Sequence, residues 1–337
     1  MCVWSAYIGK REAAPELWRS LCAIEGIWGG FYTGLVTLDD GVFHHRKLAG
    51  NTRIWAERFS LSDLPGTIGL AHSRTDSGGD DRWSHPFLGS AGKVALIGQG
   101  SSGIFTDNND AFAKVGNMLL KAGKVFETAD FTMPHRYPVL DDGSQVHCSE
   151  IAAAAVEYYY EQSHDPVKAI RDAFLQMPEE AASLILFSDL PDTIGFVNMD
   201  QRVIYQRNDG NVYLSISTLG FPTSYGTEIP GNSVGIITPD RLVIEKLSDE
   251  YAVNPLIPPG LRTATLEYIK EHPGCHISTF TDHVLRKAFP AGDLVYRCAT
   301  AYRILESLVT ENEVVLKETE CLNASGIPGR IFLIYPA

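Results

Sequence analysis

A cysteine directly follows the first methionine, and its position allows chemistry that an internal cysteine cannot perform. Aminopeptidases remove an initiator Met when the second side chain is small, and Cys2 meets that condition. Removal of Met1 leaves Cys2 with a thiol and a free α-amine, so that the nucleophile and its activating base belong to one residue. The alternative interpretation is an incidental cysteine that packs as a small hydrophobe, and on position alone it is the commoner case.

A polar loop further along the chain holds an arginine suited to binding a substrate. Arg74 lies just past a predicted strand in the segment GLAHSRTDSGG, and Ser73, Asp76 and Ser77 lie beside it. A guanidinium presents a planar fork that matches a carboxylate. The glycines allow backbone N–H groups to approach a ligand. We therefore predict that Arg74, with its three polar neighbours, lines a substrate site. An arginine in a loop is more often a solvated charge.

A second segment offers donors for a developing negative charge. His85, in the segment RWSHPF, is predicted to contact the substrate, and a predicted buried strand then ends on Gly98-Gln99-Gly100. The side-chain amide of Gln99 and the backbone N–H of Gly100 could together form an oxyanion hole. Taken alone, a Gly-Gln-Gly sequence is usually just a turn. The evidence for a site therefore comes from the order and spacing of these segments.

That order and spacing resemble the class II glutamine amidotransferases, most closely the glutaminase domain of glucosamine-fructose-6-phosphate aminotransferase. MCVWSAYIG stands where that family has Met-Cys-Gly-Ile and a strand ending near Tyr-Ile-Gly. GLAHSRTDSGG resembles Gly-His-Thr-Arg-Trp-Ala-Thr-His-Gly, His85-Pro86-Phe87 resembles His-Pro-His, and LIGQG resembles Val-Val-His-Asn-Gly. HCSEIAAAAVEYY is similar to the Ser-Asp-Thr-Glu helix start. The likeness runs from Met1 to about residue 245.

The resemblance implies an α+β fold, the four-layer αββα sandwich of the N-terminal-nucleophile (Ntn) hydrolases, and hydrolysis of the glutamine amide with release of ammonia. Carried over by residue, Cys2 is the nucleophile, Arg74 binds the α-carboxylate and Gly100 is the backbone oxyanion donor. Gln99 stands in place of the oxyanion Asn and keeps the amide. Cys148 stands where the family has the Asp that binds the α-amino group. No cofactor is expected.

The exchange of that Asp leaves the identity of the substrate open. A neutral thiol at Cys148 is a poor partner for an ammonium group, so a γ-glutamyl or acyl amide is an alternative to free glutamine. Asp76, Asp80 or Asp81, in the loop after Arg74, could replace the missing carboxylate. The commoner case for charges in a glycine-rich loop is that they face water.

Composition and charge exclude several classes of protein. The net charge of −13 and the pI near 5.2 disfavour a protein that mainly binds phosphate backbones. No two of the six cysteines form a CxxC pair, and the adjacent His44 and His45 would point to opposite faces of a strand, so no metal site is predicted. The N-terminus lacks an apolar signal segment and no membrane-spanning stretch is present, which predicts a cytoplasmic protein.

The hydrophobic pattern predicts two domains. Strands are predicted at 3–8, 67–72 and 93–98, a hairpin around Asp40-Gly41, and helices at 16–25, 109–121, 149–162 and 166–176, followed by further strands to residue 238. This Ntn-like domain covers residues 1–253, and the proline-rich segment NPLIPPG at 254–260 is a linker. Residues 261–337 are predicted to form three helices, at 263–271, 278–289 and 293–310, and a hairpin, the order of a winged helix.

The second domain leaves the partners open. Residues 261–337 hold eight Lys/Arg and nine Asp/Glu, so DNA binding has weak support and a protein contact or homodimer contact is an equal alternative. This segment is too short for the sugar-isomerase half of the resembling enzyme, so a separate ammonia-accepting synthase and a stand-alone amidohydrolase are both open. The alternative function is a ligand-sensing or partner-binding protein with an inactive Ntn domain.

Overall fold

The computed structural model describes residues 2–101, 109–133, 137–178, 180–199, 201–223, 225–250, 257–288 and 294–337. The strands are β1 Val3–Ile8, β2 Tyr32–Asp39, β3 Val42–Ala49, β4 Ile68–Arg74, β5 Phe87–Leu88, β6 Val94–Ser101, β7 Glu180–Phe187, β8 Ile194–Asn198, β9 Val203–Asn208, β10 Asn211–Ser215, β11 Thr227–Ile229, β12 Ser233–Ile237, β13 Leu242–Lys246, β14 Val314–Leu322 and β15 Pro328–Pro336. The helices are α1 Ala13–Ile24, α2 Thr52–Arg58, α3 Asn109–Lys121, α4 Cys148–Ser163, α5 Pro166–Gln176, α6 Leu261–Glu271, α7 Ile277–Phe280, α8 Arg286–Ala288 and α9 Leu294–Thr310.

Two antiparallel sheets form the centre of the molecule. The first sheet has the order β11-β9-β10-β1-β4-β2-β3, and the second has the order β13-β12-β8-β7-β6-β5. Helix α1 packs on β1 and β4 of the first sheet, whereas α4 and α5 pack on the second. Side chains of both sheets, such as Leu70 and Ile97, meet in one apolar core between them. The layers therefore follow the order helix, sheet, sheet, helix, and the predicted αββα sandwich is confirmed.

The sandwich explains why the central strands lack the alternation of polar and apolar residues. All six residues of β1 are buried, because one face meets α1 and the other meets the second sheet. A strand covered on both faces reads as a continuous buried run. Ser5 is the polar residue on the α1 side, and its hydroxyl donates to the carbonyl of Leu17.

Local signals located most elements of this sandwich. The β2–β3 hairpin turns at Asp40 and Gly41, both with positive φ, as the Asp-Gly pair predicts. Helix α3 has the predicted bounds, and Asp165 caps α5 by accepting from the Lys168 N–H. Helix α1 begins at Ala13, three residues before the prediction. Helix α4 begins at Cys148, because His147 accepts the Ser149 N–H at the helix start.

The C-terminal segment has the predicted order of helices followed by a hairpin. One difference is that the second predicted helix, 278–289, is interrupted by a π-helical turn at Thr281–Leu285, and its last residue lies outside the described residues. Of the predicted linker 254–260, residues 254–256 also lie outside them. The winged-helix assignment and the domain limits stay predictions.

The C-terminal segment packs directly on the sandwich. Leu261, Phe280, Tyr302 and Leu305 belong to the same apolar core as the strands of the first sheet. Strand β15 also runs beside the loop after α1, where the Phe332 N–H donates to the Gly26 carbonyl at 2.7 Å. A Cβ at Gly30 would lie 2.0 Å from the Arg330 carbonyl oxygen, so this close approach needs glycine.

A buried ion pair joins the two parts. Glu25 is fully buried and accepts hydrogen bonds from Thr33, Ser73 and Thr52, while Arg330 of β15 lies 3.7 Å away. Arg330 also donates to the Cys22 carbonyl at 2.8 Å. A buried carboxylate that loses its cation keeps its desolvation cost without the compensating attraction.

We expect Arg330→Ala to lower the free energy of unfolding by about 3 kcal/mol, because it leaves the Glu25 carboxylate buried without its cation. Arg53→Ala is the matched control, since Arg53 pairs with Glu318 and Glu320 of the same hairpin but is exposed. This surface pair should contribute less than about 1 kcal/mol. Denaturant unfolding of both variants checks the prediction, and equal losses would contradict it.

Candidate active site

Three adjacent strands place Cys2, Arg74 and Tyr32 in one row. Val3 pairs with Ser73 across β1 and β4, and Tyr32 pairs with Arg74 across β2 and β4. Residues directly opposite each other in a ladder share a face of the sheet, and successive residues alternate. Cys2 directly precedes β1, and continuing the alternation by one residue puts it on the face of Arg74, which is the face turned to the second sheet.

The environment of Arg74 is the most informative feature of this row. The side chain is 2% exposed, and its guanidinium stacks on the Tyr32 ring at 3.9 Å. It donates to the Ser77 hydroxyl at 2.6 Å, the Tyr137 hydroxyl at 2.9 Å and the Gly78 carbonyl at 2.6 Å. All three acceptors are neutral, and among the described residues no carboxylate lies within 4.0 Å of Arg74. The fold thus buries a cation without an anionic partner from the described part of the chain.

Two of the five N–H groups of Arg74 remain for a ligand. Three are used by Ser77, Tyr137 and Gly78, and the buried Nε has no partner among the described residues. An Nε–H and an Nη–H can together bind a carboxylate through two parallel hydrogen bonds. Since a buried charge is costly unless it is paired, the arrangement favours an anionic group bound at this point.

The second sheet presents Gln99 to the same space between the sheets. Ala95 and Ile97 of β6 pack in the core shared with the first sheet, and Gln99 has the same parity along the strand. Its side-chain N–H donates to the side-chain Oε1 of Gln201 at 2.8 Å, so one amide hydrogen is already engaged. Gly100 follows at the exposed end of the strand. Their predicted role as oxyanion donors stays a prediction.

The other predicted site residues have different positions. The Ser73 hydroxyl points to the opposite face and donates to Glu25 at 2.8 Å, so it is directed away from Arg74 and Cys2. Asp76 accepts from Asn323 of the C-terminal hairpin at 2.8 Å, whereas Ser77 contacts Arg74. Cys148 is the first residue of α4 and packs at the edge of the core between the second sheet and its helices.

The two remaining acidic residues of the loop serve local structure. Asp80 caps a short 3₁₀ turn, pairs with Arg82 at 2.9 Å and is 57% exposed. Asp81 accepts from the Ala49 N–H at 2.8 Å and is equally exposed. Both carboxylates are solvated, as in the commoner case for such a loop.

Three buried histidines lie beside the row. The rings of His72 and His85 stack at 3.9 Å, and His147 lies edge-on to His85 at 5.4 Å. His72 contacts the Gly98 carbonyl and His85 accepts from the Gly98 N–H, so the pair joins the two sheets at β6. The predicted substrate-binding residue His85 is therefore hydrogen-bonded through its Nδ1 to the main chain of β6.

Burial determines the charge of this cluster. Desolvation is the main cause that lowers the pKa of His72 to about 3, and the Arg74 charge acts in the same direction. Desolvation also lowers the pKa of His85 and His147 well below the ordinary value, and neighbouring positive charge adds to it. The three imidazoles are neutral near pH 7, so they add no charge to the cation of Arg74.

We expect this cluster to make stability fall in acid. A histidine with a lowered folded pKa binds its proton more readily in the unfolded chain, so its contribution to stability is lost as the pH falls from about 6.5 toward the folded pKa. For His72 that window reaches about pH 3. His72→Asn should flatten the dependence by up to about 1.4 kcal/mol per pH unit. Unfolding measured from pH 7 to pH 5 checks this, and an unchanged slope would contradict it.

Several contributors to the site carried no local signal. Tyr137 contacts Arg74 from 63 positions away, and Gln201 contacts Gln99 from 102 positions away. Tyr302, on α9, contacts Cys2. Tyr32 alone could have been found, because the predicted β2 strand must pair with a neighbour and an aromatic residue at its start is suited to stack on an arginine.

Among the described ranges, no three His, Cys, Asp or Glu side chains come together as metal ligands. No helix in the described part of the chain has the length and apolarity needed to cross a membrane.

Sequence comparisons support the class of protein that this geometry indicates. No protein-family model matches the chain. A glutamine–fructose-6-phosphate aminotransferase (isomerizing) of Pyrococcus horikoshii is 23% identical over 252 residues, which cover 73% of this chain and 38% of that protein. The enzyme of the same name from Caldanaerobacter subterraneus is 25% identical over 218 residues, 64% of this chain and 31% of that protein. The chain thus spans well under half the length of these relatives.

Solved structures agree on the fold. A glutamine phosphoribosylpyrophosphate amidotransferase of B. subtilis, complexed with ADP and GMP, superposes with a TM-score of 0.58 at 16% identity, over 94% of this chain and 66% of that one. An allosteric regulatory enzyme of purine biosynthesis gives 0.57 at 17% identity, over 81% of this chain and 53% of that one. The predicted resemblance to the class II glutamine amidotransferases is confirmed, in sequence by the two aminotransferases and in fold by these two structures.

Proposed function

We propose that this protein hydrolyses the side-chain amide of glutamine, with Cys2 as the nucleophile once Met1 has been removed. The observation that carries the proposal is the buried Arg74 guanidinium. It lies on the sheet face of Cys2, keeps two N–H groups for a ligand and has no carboxylate partner among the described residues. A substrate with a carboxylate bound to Arg74 would have its amide directed along the row toward Cys2. The similarity to glutamine-dependent aminotransferases supports the same assignment.

The reaction would proceed through a thioester. The α-amine of Cys2 takes the thiol proton, and the sulfur attacks the amide carbon to give a tetrahedral oxyanion. The Gly100 N–H and the second amide hydrogen of Gln99 stabilise that oxyanion. The proton passes to the amide nitrogen, the C–N bond breaks and ammonia leaves. Water then attacks the thioester, which releases the acid and restores the thiol.

Tag-free protein gives the direct test. Intact mass determines whether Met1 is absent, and the release of ammonia and glutamate measures hydrolysis. The diazo-ketone analogue of glutamine should add once to wild type and not to Cys2→Ala. Retention of Met1 together with no adduct would reject the proposal.

Cys148 stands where the resembling family has an Asp that binds the α-amino group of glutamine. The second test therefore compares substrates with and without that α-amino group. Glutaramic acid is glutamine without that group, and its carboxylate and amide keep their spacing. If Cys148 leaves the ammonium group without a counter-charge, glutaramic acid should be hydrolysed at least as well as glutamine. A strong preference for glutamine would show that another residue replaces the family's Asp.

The ammonia acceptor and the partners are part of the same proposal. We propose an Ntn domain of residues 1–253 and a winged-helix-like segment of residues 261–337, with a separate chain as the acceptor. The alternative, an inactive domain whose tail binds DNA, has less support. In α9, Ala301, Tyr302, Leu305 and Leu308 are buried in the shared core, so this face of the helix is not available to a DNA groove.

A further inference from the structure

The C-terminal helix reaches the proposed nucleophile. The Tyr302 hydroxyl of α9 donates to the main-chain carbonyl of Cys2 at 3.3 Å, although 300 positions separate the two residues. Tyr302 is fully buried, and its ring packs edge-on against Trp28 with centroids 5.0 Å apart. A buried hydroxyl is costly unless it is hydrogen-bonded, so this contact is favoured over a free hydroxyl.

Helix α9 is fixed to the sandwich on both sides of this contact. Glu306, one turn after Tyr302, pairs with Arg202 at 2.7 Å and accepts the Thr218 N–H at 2.8 Å. Arg303 pairs with Glu228 at 2.7 Å. Arg202 directly precedes β9 and Glu228 lies in β11, and both strands belong to the same sheet as β1. The hydroxyl of Tyr302 is therefore held relative to the first sheet by charged pairs of which Glu306 and Arg202 are largely buried.

The hydrogen bond from Tyr302 to the Cys2 carbonyl can restrain the position of Cys2. The ladder between β1 and β4 begins with Val3 and Ser73, one residue after Cys2. After removal of Met1, no preceding residue would restrain Cys2. A hydrogen bond to its carbonyl fixes the plane of the Cys2–Val3 peptide and with it the Cα atom, from which both the thiol and the α-amine extend.

We propose that Tyr302 is a positioning residue for the N-terminal nucleophile, so that the C-terminal segment completes the catalytic unit. This role rests on the proposed function. It also gives the tail a function that needs neither DNA nor a second protein. A nucleophile held at the correct distance and angle reacts much faster than one that moves, and small displacements cost large factors in rate.

Tyr302→Phe tests the role by removing one hydroxyl and keeping the ring on Trp28. We expect kcat for glutamine hydrolysis to fall about tenfold, with KM within about twofold of wild type, because Arg74 still binds the substrate carboxylate. Tyr335→Phe is the matched control, since it removes a tyrosine hydroxyl from the same C-terminal segment without touching Cys2. Its kcat should equal that of wild type.

A second measurement does not depend on glutaminase activity. A 2-cyanobenzothiazole condenses with the thiol and the α-amine of an N-terminal cysteine, and intact mass follows its rate. We expect this condensation to be at least about threefold faster in Tyr302→Phe, because the Cys2 carbonyl then loses its hydrogen bond to α9 and Cys2 is less restrained. Tyr335→Phe should react like wild type.

The outcomes separate the two ideas. Active wild type with an equally active Tyr302→Phe, and with equal condensation rates, would overturn the positioning role alone. Inactive wild type whose condensation rate still depends on Tyr302 would overturn the proposed function alone. Retention of Met1 would overturn both, because Cys2 would then have no free α-amine.

Discussion

Replacement of Cys2 by alanine is expected to abolish hydrolysis, with a loss of about 10⁴-fold or more in kcat. The change removes the atom that forms the thioester, and the remaining groups can only bind and polarise the amide. Alanine is also small, so removal of Met1 should proceed as in wild type and the α-amine stays in place. Release of ammonia from glutamine, followed with tag-free protein, measures the loss.

Cys321→Ala is the matched control for this change. Cys321 lies on β14 of the C-terminal hairpin and is, like Cys2, partly exposed. Its replacement should leave hydrolysis within about twofold of wild type. If Cys2→Ala and Cys321→Ala were equally active, the nucleophile would have to be another group and the mechanism proposed for Cys2 would be wrong.

Replacement of Arg74 by glutamine is expected to lower kcat/KM for glutamine by about 10²- to 10³-fold. Loss of one partner of a buried, hydrogen-bonded charge pair costs about 3–4 kcal/mol, and each 1.4 kcal/mol is a factor of ten. The stability of the ligand-free protein should change much less. The lost hydrogen bonds to Ser77, Tyr137 and Gly78 are offset by removal of a buried cation that no described carboxylate neutralises.

A substrate without the α-carboxylate isolates this interaction. 4-Aminobutanamide is glutamine lacking that group, and wild type and Arg74→Gln should hydrolyse it at similar, low rates. Arg207→Gln is the matched control protein, because Arg207 also donates to neutral carbonyls, those of Thr238 and Pro239. An Arg74→Gln defect of equal size on both substrates would show that Arg74 maintains the structure and does not bind the carboxylate.

The C-terminal segment and the sandwich share one apolar core. A mobile appendage would leave Glu25 and the Cys2 carbonyl without Arg330 and Tyr302, their partners in the C-terminal segment. Both contacts instead join β15 and α9 to the region around β1. Because each contact lies beside a residue of the proposed site or its supporting strand, changes in the tail are expected to affect the nucleophile directly.

Short-range patterns in the sequence determined the elements and the chemistry they carry. Apolar periodicity and the Asp40-Gly41 and Asp165 signals located strands and helices, because turn and cap preferences depend on neighbouring residues alone. Cys2 and Arg74 were identified by their types and by the order of the segments around them. The alternation along β4 would also have shown that Ser73 and Arg74 face opposite sides of the sheet.

The tertiary structure alone decided which groups meet at the site. Tyr137, Gln201 and Tyr302 reach Arg74, Gln99 and Cys2 across 63, 102 and 300 positions of the chain. Contacts of this range depend on how sheets and helices pack, and no local preference encodes them. The absence of a described carboxylate beside Arg74 is likewise a property of the packed sandwich, since the nearby Asp76, Asp80 and Asp81 all have other partners.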